Sequence, residues 1–307
     1  MRARRRTTLA SVTVVSVLAA SGCGAGDTAP EVNGPSAVDS PSTPISSSHA
    51  APAPAPAPAP STAAETYAVS PSQSWSYSTG GLSAWSEVQT ARPEQVAVVA
   101  DPVRPGYAYS GRFTAGPEDH TFGVTTTIRG EVRASIRETG QPAEGDVQWY
   151  SWSTYFPEDF EWDGEDQFLI YTQWHQTENA GSPNVDLWVT DGDDPHMRLT
   201  THGGQLGEDG EPQHTAVYDL GPLTKGVWLD HTVQITWSTD PAAGGVQVWI
   251  GDERRVNAVA ATLYEGQSAY LKQGIYAADN TEEEHTLYFS DAKRGPTRES
   301  VALNAAG

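Results

Sequence analysis

From Gln148 to Ser290, nearly every periodic stretch of this sequence alternates apolar and polar residues with period two. Gln148–Phe156, Gln167–His175, Val185–Thr190, Met197–Thr201, Val227–Trp237, Gly245–Ile250 and Thr286–Ser290 all read as strands, and none of the longer segments has helical spacing. Gly, Pro and Asp punctuate them, and Asp240-Pro-Ala-Ala-Gly-Gly245 sits where a hairpin would turn. Many strands divided by such turns fold as an all-β sandwich or β-jelly roll, because each half-apolar sheet must cover its apolar face with another. The ten Trp fall mostly within these strands. Trp149, Trp237 and Trp249 are expected in the core, where Trp is usually well buried.

The ends of the chain follow other rules. Arg2, Arg4, Arg5 and Arg6 precede a mostly apolar stretch at 7–20 that is too short to span a bilayer, so residues 1–22 read as a signal peptide. The stretch closes on Leu18-Ala-Ala-Ser-Gly-Cys23, which resembles a bacterial lipobox, with Ala20 where Leu is commonest. That resemblance implies lipidation of Cys23, a membrane anchor and an extracellular, cell-surface location. The alternative is an ordinary secretory signal with an incidental Cys. Cys23 is the only cysteine, so the chain has no internal disulfide framework. Residues 23–64, rich in Ala, Pro and Ser, cannot build a core and read as a linker that ends in an extended Ala-Pro run. Residues 65–307 remain as one domain, expected to be a monomer. Residues 1–64 hold four Arg and three acids, which leaves the domain 14 Lys+Arg against 36 Asp+Glu. A surface so acidic excludes nucleic acid as a partner, since phosphate backbones are bound by basic patches.

Two segments stand out chemically. In Tyr270-Leu-Lys-Gln-Gly-Ile-Tyr276, strand alternation puts Tyr270, Lys272, Gly274 and Tyr276 on one face, with Leu271 and Ile275 on the other. In Gln173-Trp-His175, the amide and the imidazole share a face in the same way. A cation, phenols, an amide and an imidazole on one sheet face suit a wet, concave surface that handles an anionic substrate.

With Arg133-Ala-Ser-Ile-Arg-Glu138, these segments resemble the alginate lyases, glucuronan lyases and heparin lyase I-like enzymes, which are polysaccharide lyases with a concanavalin-like jelly roll. The family pattern is an Arg-Glu strand, a Gln-x-His strand and a Tyr-x-Lys-x-Gly-x-Tyr strand, in that order. Trp149-Tyr-Ser-Trp-Ser153, Phe156-Pro-Glu-Asp-Phe160 and the stretch from Trp228 to Trp237 look like the glucuronan and heparin lyase I-like branch, and the resemblance covers most of 105–292. Two positions depart from the pattern. Thr139 follows Arg137-Glu138 where an aliphatic residue is usual, and Gln273 replaces the small residue that precedes the Gly in alginate lyases. Arg129 and Arg133 are nearby substitutes for Arg137.

The resemblance implies β-elimination on a uronate polymer, with Tyr276, His175, Gln173 and Arg137 as the catalytic group. Arg137 and Gln173, with His175 as a further candidate, would stabilise charge on the uronate carboxylate, in the manner of an oxyanion hole. Tyr276 would be the acid, and either Tyr276 or His175 the base. Lys272 lies about 13 Å along its strand from Tyr276 and is expected to hold a neighbouring sugar's carboxylate. Tyr270, Arg133 and the loop residue His120 are further candidates for substrate binding. A plain polyuronate fits the few cations better than a heavily sulfated polymer. Asp191-Gly-Asp-Asp194 and Glu282-Glu-Glu284 are candidate Ca²⁺ ligands, since calcium prefers oxygen donors. His120, His196, His202, His214, His231 and His285 show no zinc-ligand spacing. Two other functions compete. A β-glucanase would use Glu161-Trp-Asp-Gly-Glu165 as its carboxylates, although the Gly makes this a turn. A lectin-like carbohydrate-binding domain would share the fold without catalysis.

Overall fold

The computed structural model describes residues 72–304, apart from 78–79, 135–139, 163–167, 179–180, 193 and 209. Sixteen strands run through the described residues: β1 (Gln73–Trp75), β2 (Glu87–Thr90), β3 (Val96–Val99), β4 (Ser110–Ala115), β5 (Thr127–Arg133), β6 (Val147–Tyr155), β7 (Leu169–Gln176), β8 (Val185–Val189), β9 (His196–Leu206), β10 (Pro212–Pro222), β11 (Trp228–Thr236), β12 (Gly245–Ile250), β13 (Glu253–Val259), β14 (Ala269–Ala278), β15 (His285–Phe289) and β16 (Ala292–Gly295). They form the two antiparallel sheets of a jelly-roll sandwich. One has the order β10-β9-β8-β7-β14-β5-β2. The other has the order β13-β12-β11-β6-β15-β4-β3, with β16 beside β6 and β1 beside β16.

The apolar residues of the alternating pattern fill the space between the sheets. Leu271 and Ile275 of β14 are buried there with Trp174 of β7, and Trp152, Val233 and Phe289 of the other sheet. Trp174 meets Trp152 edge-on at 5.9 Å and Tyr150 at 4.9 Å. Truncating such a buried ring costs about 3–5 kcal/mol. His231 joins the same core: its ring stacks on Trp152 at 4.9 Å, and its Nε2 lies 3.3 Å from the Tyr171 hydroxyl.

Several expected strands sit where alternation puts them, and β12 keeps its boundaries. Others differ. β5 ends at Arg133, and residues 135–139 of the expected Arg-Glu strand lie outside the described residues. β10 and β13 were not expected as strands. β10 is an edge strand capped by Pro at both ends, with most side chains partly exposed, so it lacks the apolar face that marks inner strands. Trp237 is in the core cluster, Trp249 is buried but apart from that cluster, and Trp149 is half-buried. The latter two stack on each other at 5.5 Å on the outer face of their sheet, where the Arg298 guanidinium covers Trp249 at 4.6 Å.

Two bulges prepare the other sheet for its role. One residue is extra in β7 between Ile170 and Thr172, opposite β8. Another is extra in β14 between Gln273 and Tyr276, opposite β7. The second sits at Gly274, whose φ is +136° and where a Cβ would lie 2.2 Å from the Gly130 carbonyl oxygen. Only glycine fits that combination of left-handed backbone and close approach.

Candidate active site

The strand order brings distant motifs side by side. In β5, β14 and β7, Arg133 pairs with Lys272 and Lys272 with Gln173. The row continues through Asp186 of β8, Thr200 of β9 and Val217 of β10. A second row pairs Arg129 with Tyr276, Tyr276 with Ile170, Ile170 with Trp188 and Trp188 with Arg198. On β8 these rows are two residues apart, but on β14 they are four apart, and the two bulges absorb the difference. Between and along the rows lies a cleft of about 520 Å³, lined among others by Arg129, Gln173, His175, Asp186, Trp188, His202 and Tyr276.

At one end the Arg129 guanidinium lies 4.3 Å above the Tyr276 ring, with Phe168 5.6 Å away on the same phenol. Arg129 Nη1 also reaches Glu131 at 3.2 Å and Gln89 at 3.2 Å. Glu131 is the hub of the floor. It takes Lys272 Nζ at 2.6 Å and a hydrogen bond from Gln173 Nε2 at 2.6 Å. This corrects the expectation for Lys272. Its side chain is 1% exposed, and burial pushes its ammonium down to about 8 against the pull of Glu131. A cation so covered and paired braces Glu131 and Gln173 and is not free to grip a substrate carboxylate. Gln173 keeps one amide hydrogen beyond its bond to Glu131.

At the other end, His175 Nδ1 lies 2.8 Å from the Gln176 carbonyl and 3.3 Å from the Tyr270 hydroxyl. A carbonyl only accepts, so Nδ1 carries the proton and Nε2 holds the lone pair. Burial, helped by the Lys272 charge, lowers the imidazole to about 4, so it is neutral at pH 7. Burial raises the Tyr270 phenol. Arg133 lies 5.6 Å from the Tyr270 ring centroid and is tied through Nε to Glu87 at 2.7 Å, outside the cleft lining.

His120 enters from the loop before β5, with Nε2 3.2 Å from Asp279 and Nδ1 3.1 Å from the Thr127 carbonyl oxygen. It braces the end of β14 near Tyr276 and does not line the cleft. Arg137 lies outside the described residues, as do Asp193 and 163–167 with Glu165. The sequence pattern missed Glu131, Asp186, His202 and Trp188 as site residues and offered Arg129 only as a substitute. The alternation Arg129-Gly-Glu131-Val-Arg133 was the available signal for Glu131, and Asp186-Leu-Trp188 that for the far wall.

On that wall Asp186 is buried, with the Thr200 hydroxyl as a hydrogen-bond partner and His202 Nε2 at 3.8 Å. Burial raises its carboxyl to about 8 and lowers His202 to about 4. Of the candidate calcium ligands, Asp193 lies outside the described residues. Glu284 is bound to Arg92 at 2.9 Å, and no three His, Cys, Asp or Glu side chains among the described residues converge to hold an ion.

A seven-stranded sheet carrying a cleft with a phenol, a guanidinium and an imidazole along it defines a jelly-roll protein with a candidate catalytic groove. The model of the polysaccharide lyase family matches residues 77–293, and the chain belongs to that family. It is similar to an endo-β-1,4-glucuronan lyase from the fungus Trichoderma reesei, at 19% identity, TM-score 0.58, over 76% of this chain and 98% of that one. It is also similar to an alginate lyase solved with an alginate trisaccharide (11% identity, TM-score 0.49, 75% and 100% covered). An alginate lyase of polysaccharide lyase family 7 matches at 13% identity and TM-score 0.47, with 67% and 86% covered. At 19% identity the glucuronan lyase supports the fold alone. No curated protein matches the sequence.

Proposed function

We propose that this polysaccharide lyase cleaves a uronic-acid-containing polymer by β-elimination at the Tyr276 end of the cleft. The observation that carries the reading is the Arg129 guanidinium lying 4.3 Å above the Tyr276 ring in the cleft, with its Nη1 shared between Glu131 and Gln89. The uronate carboxylate sits against Arg129 and the remaining Gln173 amide hydrogen. There, the charge that spreads onto the carboxylate as the adjacent carbon loses its proton meets fixed donors. That proton leaves the ring carbon, the bond from the next carbon to the glycosidic oxygen breaks, a carbon–carbon double bond forms, and the leaving oxygen takes up a proton.

Tyr276 serves both proton transfers in this reading. His175 lies five residues along β7 from Ile170, the partner of Tyr276, which is up to about 16 Å of backbone. A neutral His175 with its Nε2 lone pair towards the cleft then contacts a neighbouring sugar. The same proposal holds the protein at the cell surface through Cys23, with the linker as spacer.

The test is ultraviolet absorbance while the purified full-length protein is incubated with glucuronan, alginate, hyaluronan or heparan sulfate. Elimination leaves a conjugated, absorbing double bond, so a rise with one polymer is expected. No rise with any of them would sink the reading. New reducing ends without absorbance would point to hydrolysis.

A further inference from the structure

At its β5 end the cleft runs out towards the loop that joins β4 to β5. Arg129 and Tyr276 line the cleft there. Just beyond them the loop carries Phe122, 68% exposed, and Val124, 45% exposed. Phe122 is the most exposed aromatic among the described residues. The Arg129 guanidinium lies over its ring, 5.6 Å from the centroid, and 4.3 Å from the centroid of Tyr276. The two rings thus share one guanidinium, close enough for two sugars joined through one glycosidic oxygen to touch both.

The backbone holds Phe122 out against its own preference. Its φ is +56° and that of Gly123 is +73°, and the Val124 N–H closes the turn on the Thr121 carbonyl at 3.1 Å. A left-handed backbone suits Gly123 but strains a bulky residue such as Phe, and such strain persists only where the surrounding structure enforces it. The base of the loop does so. Asp119 takes Arg92 Nε at 2.7 Å, Arg92 Nη2 at 2.8 Å and the Gly116 N–H at 2.9 Å. Its carbonyl accepts the Arg129 N–H at 3.0 Å, which ties the loop to the residue under the ring. His120 adds its bond to the Thr127 carbonyl and its contact with Asp279. A fixed base therefore presents a strained ring whose apolar surface is left in water, at a cost to folding. The exposure is offset when the ring meets the C–H face of a pyranose, whose weakly positive hydrogens suit the negative face of an aromatic ring.

We propose that Phe122 is a sugar-stacking platform at the β5 end of the cleft, holding the polymer unit next to the uronate that reacts at Arg129 and Tyr276. The place of that unit beside a reacting uronate rests on the elimination reading, but the platform itself is tested without turnover. The Tyr276→Phe protein is titrated by calorimetry with glucuronan, alginate, hyaluronan and heparan sulfate, alone and with Phe122→Gly or Phe122→Trp added. For the polymer that binds tightest, Phe122→Gly is expected to weaken binding at least fivefold. Its melting temperature should equal or exceed the parent's, because glycine relieves the left-handed backbone. Phe122→Trp keeps a ring and is expected to stay within twofold. Unchanged affinity in Phe122→Gly, equal losses in both variants, or no binding of any of the four polymers would overturn the platform. A marked fall in the melting temperature of Phe122→Gly would also overturn it, by giving the ring a packing role. With Tyr276 restored, Phe122→Gly is expected to raise KM at least fivefold and to lower kcat less than twofold, the pattern of a lost binding contact. A fall in kcat at unchanged KM would mean that Phe122 orients Arg129 and touches no sugar. Absorbance with the unmutated protein separates the two ideas. Ring-dependent binding without any elimination product would sink the lyase mechanism and leave the platform standing, and product with binding indifferent to Phe122 would do the reverse.

Discussion

Strands β11 and β14 lie in opposite sheets, yet only one of them behaves as an ordinary sandwich strand. Along β11, half-buried and buried residues alternate without a break from Trp228 to Thr236, so Asp230, Thr232, Gln234 and Thr236 meet solvent while Leu229, His231, Val233 and Ile235 face the core. Along β14 every residue is buried except the half-buried Tyr270 and Tyr276, although one of its faces is polar. The difference shows where water has been replaced. On β11 the polar face is solvated by the medium. On β14 it is solvated by the protein, through the Lys272–Glu131–Gln173 bonds. A buried ion pair of this kind adds little net stability; its value lies in holding donors rigidly at a cleft.

The largest expected effect strikes the β14 face through function. Tyr276→Phe should lower the elimination rate about 10³-fold, the range for losing a proton-transferring group, with the melting temperature nearly unchanged. Steady-state absorbance and calorimetric melting measure the two. Should His175→Ala prove the more damaging change, the assignment of both transfers to Tyr276 would be wrong.

Next comes the ion pair. Lys272→Met leaves the buried Glu131 carboxylate with only Arg129 at 3.2 Å and the Gln173 amide and should cost about 3 kcal/mol in urea denaturation, whereas Lys272→Met with Glu131→Gln should recover most of that. An additive double variant would mean the pair is not coupled as the geometry implies.

A third test uses the apolar side of β11. His231 is fully buried, and burial lowers its folded-state pKa to about 4, below its value in the unfolded chain. Its contribution is therefore complete above pH ~6.5 and fades as pH falls towards 4, by roughly 3 kcal/mol at most. His175 and His202 shift the same way and add to the trend. Stability measured between pH 7 and 4 should drop, and His231→Phe should flatten the curve. An unchanged slope in that variant would assign the acid sensitivity elsewhere.

The smallest effect belongs to the outer face of β11. Gln234 accepts a hydrogen bond from Gln247 on the half-buried outer face of the sheet, so Gln234→Ala should fall within about 0.5 kcal/mol of the parent. A loss of several kcal/mol there would erase the contrast between the two strands.

Much of the site was legible as parity. Gln173 and His175, or Lys272 and Tyr276, share a face because strand side chains repeat every two residues. The same rule sent Leu271 and Ile275 to the core. Parity could not tell an exposed lysine from a covered one, because covering depends on what the neighbouring strand places opposite. Lys272 is neutralised by Glu131, which lies far from it in the chain and stands beside Gly274 only through the β5–β14 register. Asp186 was hidden for a similar reason. A single acid in a short strand carries no pattern until β7 and β9 close around it.

The sequence by itself determined the all-β class, the faces of the strands and the identity of the phenol and imidazole in the cleft, because these follow from local periodicity and residue type. The tertiary structure alone decided that Arg129 lies over Tyr276, that Lys272 is a brace, and that Asp186 and Trp188 line the far wall of the cleft. Each of these is set by hydrogen-bond register between strands distant in the chain, shifted by two bulges, and by the water that the packed sheet excludes.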